Sequence, residues 1–144
     1  MTILNVDKHF ERFEDITPEL LKKEGVKLLL CDLDNTIRLH SEKKPSESLR
    51  KWVKECQKAG VTVMVVSNNG RKKMMQKFCE PMGIDCVWWA MKPISTKLTR
   101  AVEAHGCKLS EAVMLGDKWT TDVIAAHFAK IRAWKVNHRR NIKL

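Results

Sequence analysis

The segment Leu28–Thr36, LLLCDLDNT, constrains this chain more than any other. An apolar run stops at two aspartates separated by one leucine, and Asn35 and Thr36 follow. A short apolar run between polar residues reads as a strand buried on both faces, the kind found in parallel sheets. Asp32 and Asp34 then lie at its C-terminal end, which is where open α/β sheets bind ligands. Carboxylates beside an apolar strand cost several kcal/mol unless a metal or hydrogen-bond donors compensate them. Placed at i and i+2, the two can serve one site, one as nucleophile and one as acid/base, with a cation between them.

The rest of the chain repeats the strand-then-helix pattern. Strands are expected at 26–31, 61–66, 86–90, 112–115 and 131–136. Between them run amphipathic stretches that close at Gly60, Gly83 and Gly106, as helices tend to do. Thr17 with Pro18 starts an earlier short helix, and Ser46 caps the one carrying Leu49, Trp52, Val53 and Cys56. Met74, Met75, Phe78, Cys79 and Met82 form a helical stripe that reads as core packing. His105 and His127 fall on apolar faces and read the same way, whereas His40 reads as an exposed flap residue. One of Trp88 and Trp89 should face the core, and Trp119 should lie at the mouth of the site. Residues 1–16 read as an irregular docking segment and 137–144 as a frayed basic tail. The expectation is one α/β domain over residues 1–144, a three-layer α/β/α Rossmann-like fold around a five-stranded, mainly parallel sheet.

Parallel strands bring their C-terminal ends to one edge. That edge collects Asp32 and Asp34, Ser67 with Asn68, Lys92, and Asp117. The set suits phosphoryl transfer. Asp32 can form an aspartyl-phosphate, dividing one hard hydrolysis into two easier steps. Asp34 can protonate the leaving oxygen and then activate water. Ser67 and Lys92 can hold phosphate oxygens as charge spreads in the transition state. Asp32 and Asp117 offer the hard oxygens that Mg²⁺ prefers.

These residues, taken in order, resemble the haloacid dehalogenase superfamily of phosphatases. DLDNT resembles its first motif, Ser67 after VMVV its second, Lys92-Pro93 its third, and Gly116-Asp117 through Asp122 its fourth. The resemblance implies Asp32 as nucleophile and Asp34 as general acid/base. It implies Mg²⁺ on Asp32, Asp117 and the main-chain carbonyl of Asp34, with Asp122 supporting the metal's water shell or Lys92. Thr36 would order the turn of the first motif. A narrower likeness is carried by ITPELLKKEGVKLLLCDLDNTI, VVSNN, CEPMGID, MKP and GDKWTTDV. These resemble the YqeG-like type IIIA branch, whose members include phosphatases that convert phosphatidylglycerophosphate to phosphatidylglycerol. The chain departs from that branch at Arg38, Leu39 and His40, and again across 125–129.

Residues 37–66 and 70–91, which separate the motifs, hold no room for a cap domain, so an open cleft for a large substrate is expected. The net charge of +10 favours anionic partners. The function expected is therefore Mg²⁺-dependent phosphomonoester hydrolysis, on phosphatidylglycerophosphate at an anionic membrane surface. The alternatives are a nucleic-acid 3′-phosphate or a phosphoprotein as substrate, or a basic binding module without turnover. Nucleic acid is less favoured, since no RNA-binding aromatic motif is present. No run approaches the ~18 apolar residues of a membrane span, and the first residues carry no apolar signal core. The five cysteines show no CxxC spacing, so a cytoplasmic protein is expected, peripheral on the inner membrane face.

Overall fold

A computed structural model describes residues 6–140. The strands are β1 (Lys8–Phe10), β2 (Leu28–Cys31), β3 (Thr62–Val66), β4 (Cys86–Val87), β5 (Ala112–Gly116) and β6 (Arg132–Val136). The α-helices are α1 (Pro18–Lys23), α2 (Glu47–Lys58), α3 (Lys72–Cys79), α4 (Thr96–Ala104) and α5 (Ile124–Ala129). All strand pairs are parallel, in the order β1-β6-β5-β2-β3-β4. The sheet thus has six strands where five were expected. The added strand lies within the presumed docking segment, with Lys8 opposite Trp134 and Phe10 opposite Val136.

Strand alternation sorts the core into two layers. Leu29, Cys31, Val63, Val65, Val113 and Leu115 face the cluster completed by Trp52, Val53, Met75 and Phe78 of α2 and α3. Leu28, Leu30, Met64, Val66, Ala112 and Met114 face Leu98, Val102, Ala125 and Ala126 of α4 and α5. Helices on both faces explain why β2 is buried at every position and reads as an unbroken apolar run. Local sequence sets the helix ends. Thr17 Oγ1 accepts from Leu20 N and Ser46 Oγ from Leu49 N, both at 3.1 Å. Gly60, at φ 81°, takes the left-handed turn that stops α2.

Two boundaries differ from expectation. The third strand stops after Val87, because Trp89 and Met91 adopt φ values of 54° and 60° that no strand can hold. Asn137–Arg140 are not frayed. Asn137 N donates to Phe10 O at 3.2 Å, and both guanidinium ends of Arg139 grip the Glu14 carboxylate at 2.9 and 2.8 Å. Arg139 also stands 4.6 Å over the Phe13 ring. Residues 1–5 and 141–144, the remainder of the two expected terminal segments, lie outside the described residues.

Candidate active site

The chain runs β2→β3→β4 in one direction across the sheet, then restarts beside β2 with β5 and continues outward through β6. Such a reversal opens a crevice at the carboxyl edge, and here it falls between β2 and β5. Asp32 follows β2, and its N–H donates to Leu115 O at 2.9 Å. Asp117 follows β5. Thr36 Oγ1 bridges them, 3.1 Å from Asp117 Oδ1 and 3.4 Å from Asp32 Oδ2. Asn35 reaches φ 65°, a value asparagine tolerates better than most residues, and so turns the chain to bring Thr36 back over Asp32.

Lys92 joins the cluster from the far side. Its Nζ donates to Asp32 Oδ1 at 3.0 Å and to Asp122 Oδ1 at 2.6 Å, with 1% of its side chain exposed. Its backbone is clasped by Asn68, whose Nδ2 donates to Lys92 O at 2.9 Å and whose Oδ1 accepts from Lys92 N at 2.7 Å. The Lys92-Pro93 peptide is cis. Asp122 lies in the turn of π-helix Trp119–Val123, and its Oδ2 accepts from Lys118 N at 3.2 Å. Gly116 is required here because a Cβ would overlap the Asp122 carboxylate.

Electrostatics follow from burial. Asp32 is pushed up from 3.8 to about 7, chiefly by desolvation. Lys92 opposes that rise, and the nearby Asp122 and Asp117 charges add to it. For Lys92, burial pulls toward the neutral form, but the two carboxylates outweigh it and hold the ammonium above its usual value.

Ligand oxygens of Asp32, Asp117 and Asp122 lie within 4.8 Å of one another. Of these three buried carboxylates, Asp32 and Asp122 share Lys92, and Asp117 meets Thr36 and His138. The all-oxygen donor set and the excess negative charge fit a hard divalent cation. Asp122 is already committed to Lys92 and Lys118, which leaves Asp32 and Asp117 as the more available ligands.

A cleft of about 240 Å³ is lined by Asp32, Asp34, Ser67, Asn68, Asn69 and Lys92, with Lys118 and Thr121 at its rim. All seven residues expected at the site therefore lie at this edge: Asp32, Lys92, Asp117 and Asp122 in the cluster, Asn68 on the Lys92 backbone, and Asp34 and Ser67 in the lining of the cleft, with Ser67 Oγ accepting from Asn69 N at 3.1 Å. The Asp34 carboxylate lines that cleft with its hydrogen bonds made outside the acidic cluster. It accepts from Arg38 Nε and Nη2 at 2.7 and 2.6 Å, and from Asn69 Nδ2 at 3.3 Å.

Two contributors were not anticipated. Arg38 is 3% exposed, pins Asp34, and donates through Nη1 to Glu42 O at 2.9 Å. Its signal was its place among the departures of 38–40 from related sequences. His138 Nδ1 lies 3.1 Å from Asp117 Oδ2. It follows β6, whose C-terminal end reaches the same edge, so the strand pattern alone could have placed it there. His40 is an exposed flap residue as expected, yet it stands 3.5 Å from Asp34 Oδ1. Trp88 packs on the core, Trp89 is exposed, and Trp119 is 42% exposed with Lys135 5.3 Å from its ring.

Residues 3–130 match the family model described as haloacid dehalogenase-like hydrolase. The chain is 34% identical over 121 residues to a probable phosphatase, YqeG, of Bacillus subtilis, covering 84% of this chain and 70% of that protein. The fold resembles a cobalt-bound deoxy-D-mannose-octulosonate 8-phosphate phosphatase from Haemophilus influenzae, at TM-score 0.64 and 17% identity over 79% of this chain and 70% of that one. It also resembles a 3-deoxy-D-manno-octulosonate 8-phosphate phosphatase from Moraxella catarrhalis in complex with magnesium and phosphate ions and the sugar acid, at TM-score 0.56 and 17% identity over 71% and 64% of the two chains. The chain therefore belongs to the haloacid dehalogenase-like hydrolase family and is a phosphatase of that family.

Proposed function

We propose that this phosphatase hydrolyses a phosphomonoester through an aspartyl-phosphate on Asp32, and that its substrate is phosphatidylglycerophosphate. The observation that carries the chemistry is the shared hold on Asp32. Its carboxylate meets a buried lysine on one side and the Thr36–Asp117 pair on the other. It lines the same cleft as Asp34.

Asp32 attacks phosphorus, and the bond to the leaving alkoxide breaks. Asp34 gives that oxygen a proton. Asp34 then takes a proton from water, which attacks phosphorus, frees inorganic phosphate and returns Asp32. Lys92, the Ser67 hydroxyl and the Asn68 region face the phosphate oxygens, where preorganised donors lower the barrier without reorganising. Mg²⁺ would be held by Asp32, Asp117 and the Asp34 carbonyl, with Asp122 behind them. When bound it neutralises charge on the nucleophile and the phosphoryl oxygens. Arg38 orients the Asp34 carboxylate, and that pairing must loosen when Asp34 carries its proton.

An uncapped site supports a large substrate. Between Thr36 and Ser67 the structure has only the 37–46 flap, α2 and β3. Between Asn69 and Lys92 it has only α3, one turn of 3-10 helix and β4. Nothing inserted there folds over the cleft, so a headgroup projecting from a bilayer can enter. The YqeG likeness supports the same branch of the family.

The test is inorganic phosphate release from phosphatidylglycerophosphate in mixed micelles with Mg²⁺, run beside a 3′-phosphorylated oligonucleotide. Release from the lipid alone supports the substrate. Release from the oligonucleotide alone overturns it while keeping the chemistry. Turnover of neither, with none of p-nitrophenyl phosphate, would overturn both.

A further inference from the structure

Beside the cleft lies a surface that hydrolysis does not use. Trp89, Met91 and Ile94 are 59%, 53% and 55% exposed, on the loop that leaves β4 and carries the buried Lys92. The two left-handed residues in that loop, Trp89 and Met91, are themselves bulky, a costly arrangement for side chains of that size. The backbone there is anchored: Trp89 N donates to Asn69 O at 3.0 Å, and Lys97 Nζ donates to Trp89 O at 2.7 Å. The apolar side chains are thus held outward from a tethered main chain.

The Trp89 ring covers Gly70, where a Cβ would overlap it. Directly after Gly70 begins a groove of about 940 Å³ lined by exposed cations, among them Lys43, Arg71, Lys73 and Lys77, with no carboxylate in its lining among the described residues. Lys72, which also lines the groove, has its Nζ 4.8 Å from the ring of Trp88, the residue before Trp89. An apolar tip and a cationic groove therefore form one continuous face beside the catalytic cleft.

We propose that this face docks on an anionic lipid bilayer. Trp89, Met91 and Ile94 enter the interfacial layer, and the groove cations lie against headgroup phosphates. Large apolar tips and adjacent cations are the two components of peripheral membrane binding, and an indole prefers the boundary between hydrocarbon and water. A nucleic acid would use the cations but has no use for Met91 and Ile94. A second copy of a chain carrying +10 would meet repulsion at the groove. The inference rests on the phospholipid reading and adds where the lipid surface sits.

The experiment is co-sedimentation of the full chain with vesicles of pure phosphatidylglycerol or pure phosphatidylcholine. Neither holds a phosphomonoester, so binding is read apart from turnover. The wild type should partition onto phosphatidylglycerol and not onto phosphatidylcholine. The pair Lys73→Ala/Lys77→Ala should weaken partitioning roughly 30-fold at low salt, and that loss should shrink at high salt. The pair Trp89→Ser/Ile94→Ser, and Ile94→Ser alone as the milder change, should weaken it at either salt, the pair by roughly tenfold. Every variant should keep its turnover of p-nitrophenyl phosphate. Wild type left in the supernatant, apolar variants that bind as wild type does, or a dimer that the apolar variants dissolve would each overturn the docking face. Vesicle binding without phosphatidylglycerophosphate hydrolysis would overturn the substrate and leave the face standing. Hydrolysis of the soluble deacylated headgroup without vesicle binding would do the reverse.

Discussion

Asp32→Asn should abolish turnover and also stabilise the metal-free protein. Asp32 is 9% exposed, and its carboxyl is raised from 3.8 to about 7, first by burial. Because the folded value lies above the unfolded one, the protonated form is the one the fold favours. The contribution of Asp32 to stability is full below about 4, declines as pH rises, and is gone above about 7. At pH 8 the ionised group therefore costs the fold at most about 4 kcal/mol, at ~1.4 kcal/mol per tenfold change in affinity for the proton. Asparagine removes that cost but gives Lys92 a weaker partner than the carboxylate at 3.0 Å. A net gain on the order of 2 kcal/mol is expected, worth roughly 5–10 °C in Tm for a domain of this size. The assay is thermal unfolding in EDTA from pH 4.5 to 8. The variant should melt higher than the wild type at pH 8, and the gap should close toward pH 4.5. Adding Mg²⁺ should raise the wild-type Tm by mass action and the variant's much less. A variant that melts lower in EDTA, or a gap that ignores pH, would refute the reasoning, because the Lys92 pairing would then outweigh desolvation.

Other perturbations have equally definite outcomes. Lys92→Met leaves the Asp32 and Asp122 carboxylates buried without their shared cation, and should cost about 3–5 kcal/mol in urea unfolding at pH 8. Gly116→Ala drives a Cβ into the Asp122 carboxylate that anchors Lys92. It should lower kcat at least tenfold, read from p-nitrophenyl phosphate turnover. Arg139→Ala removes the paired grip on Glu14, whose carboxyl is held below 4.5 because hydrogen bonds and the Arg139 charge outweigh its burial. The wild type should be the more stable by about 1 kcal/mol above pH 4.5. That advantage should fade as pH falls through the lowered Glu14 value, as chemical unfolding between pH 3 and 7 would report. EDTA should stop turnover and Mg²⁺ restore it, whereas metal-independent release of phosphate would remove the cation from the mechanism.

The parallel sheet and its polar edge were legible because burial on both faces leaves an unmistakable run, as at Leu28–Cys31 and Val63–Val66. The cluster of Asp32, Lys92, Asp117 and Asp122 was legible because each follows a strand, and parallel strands end together. β1 was not legible. Three residues, Lys8, His9 and Phe10, carry no periodicity, and what holds them is the exposed edge of β6, a tertiary partner that local pattern cannot show. The tail 137–140 escaped for a similar reason: its basic composition reads as solvated, yet Arg139 finds Glu14 and Phe13 far away in sequence. The orientation of Asp34 depended on Arg38, four residues on. That contact needs the turn through Asn35 and the parallel bridge between Asp34 and Arg38. The early end of β4 escaped because Trp88-Trp89-Ala90 has strand composition, while Trp89 adopts a left-handed φ.

The central claim is that Asp32 is the nucleophile. The most direct measurement is mass spectrometry of peptides from protein acid-quenched during turnover with Mg²⁺ and p-nitrophenyl phosphate. The account predicts one phosphoryl group on the peptide containing Asp32, discharged on longer incubation and absent from Asp32→Asn. A phosphoryl group on any other residue, or undiminished turnover by Asp32→Asn, would contradict it.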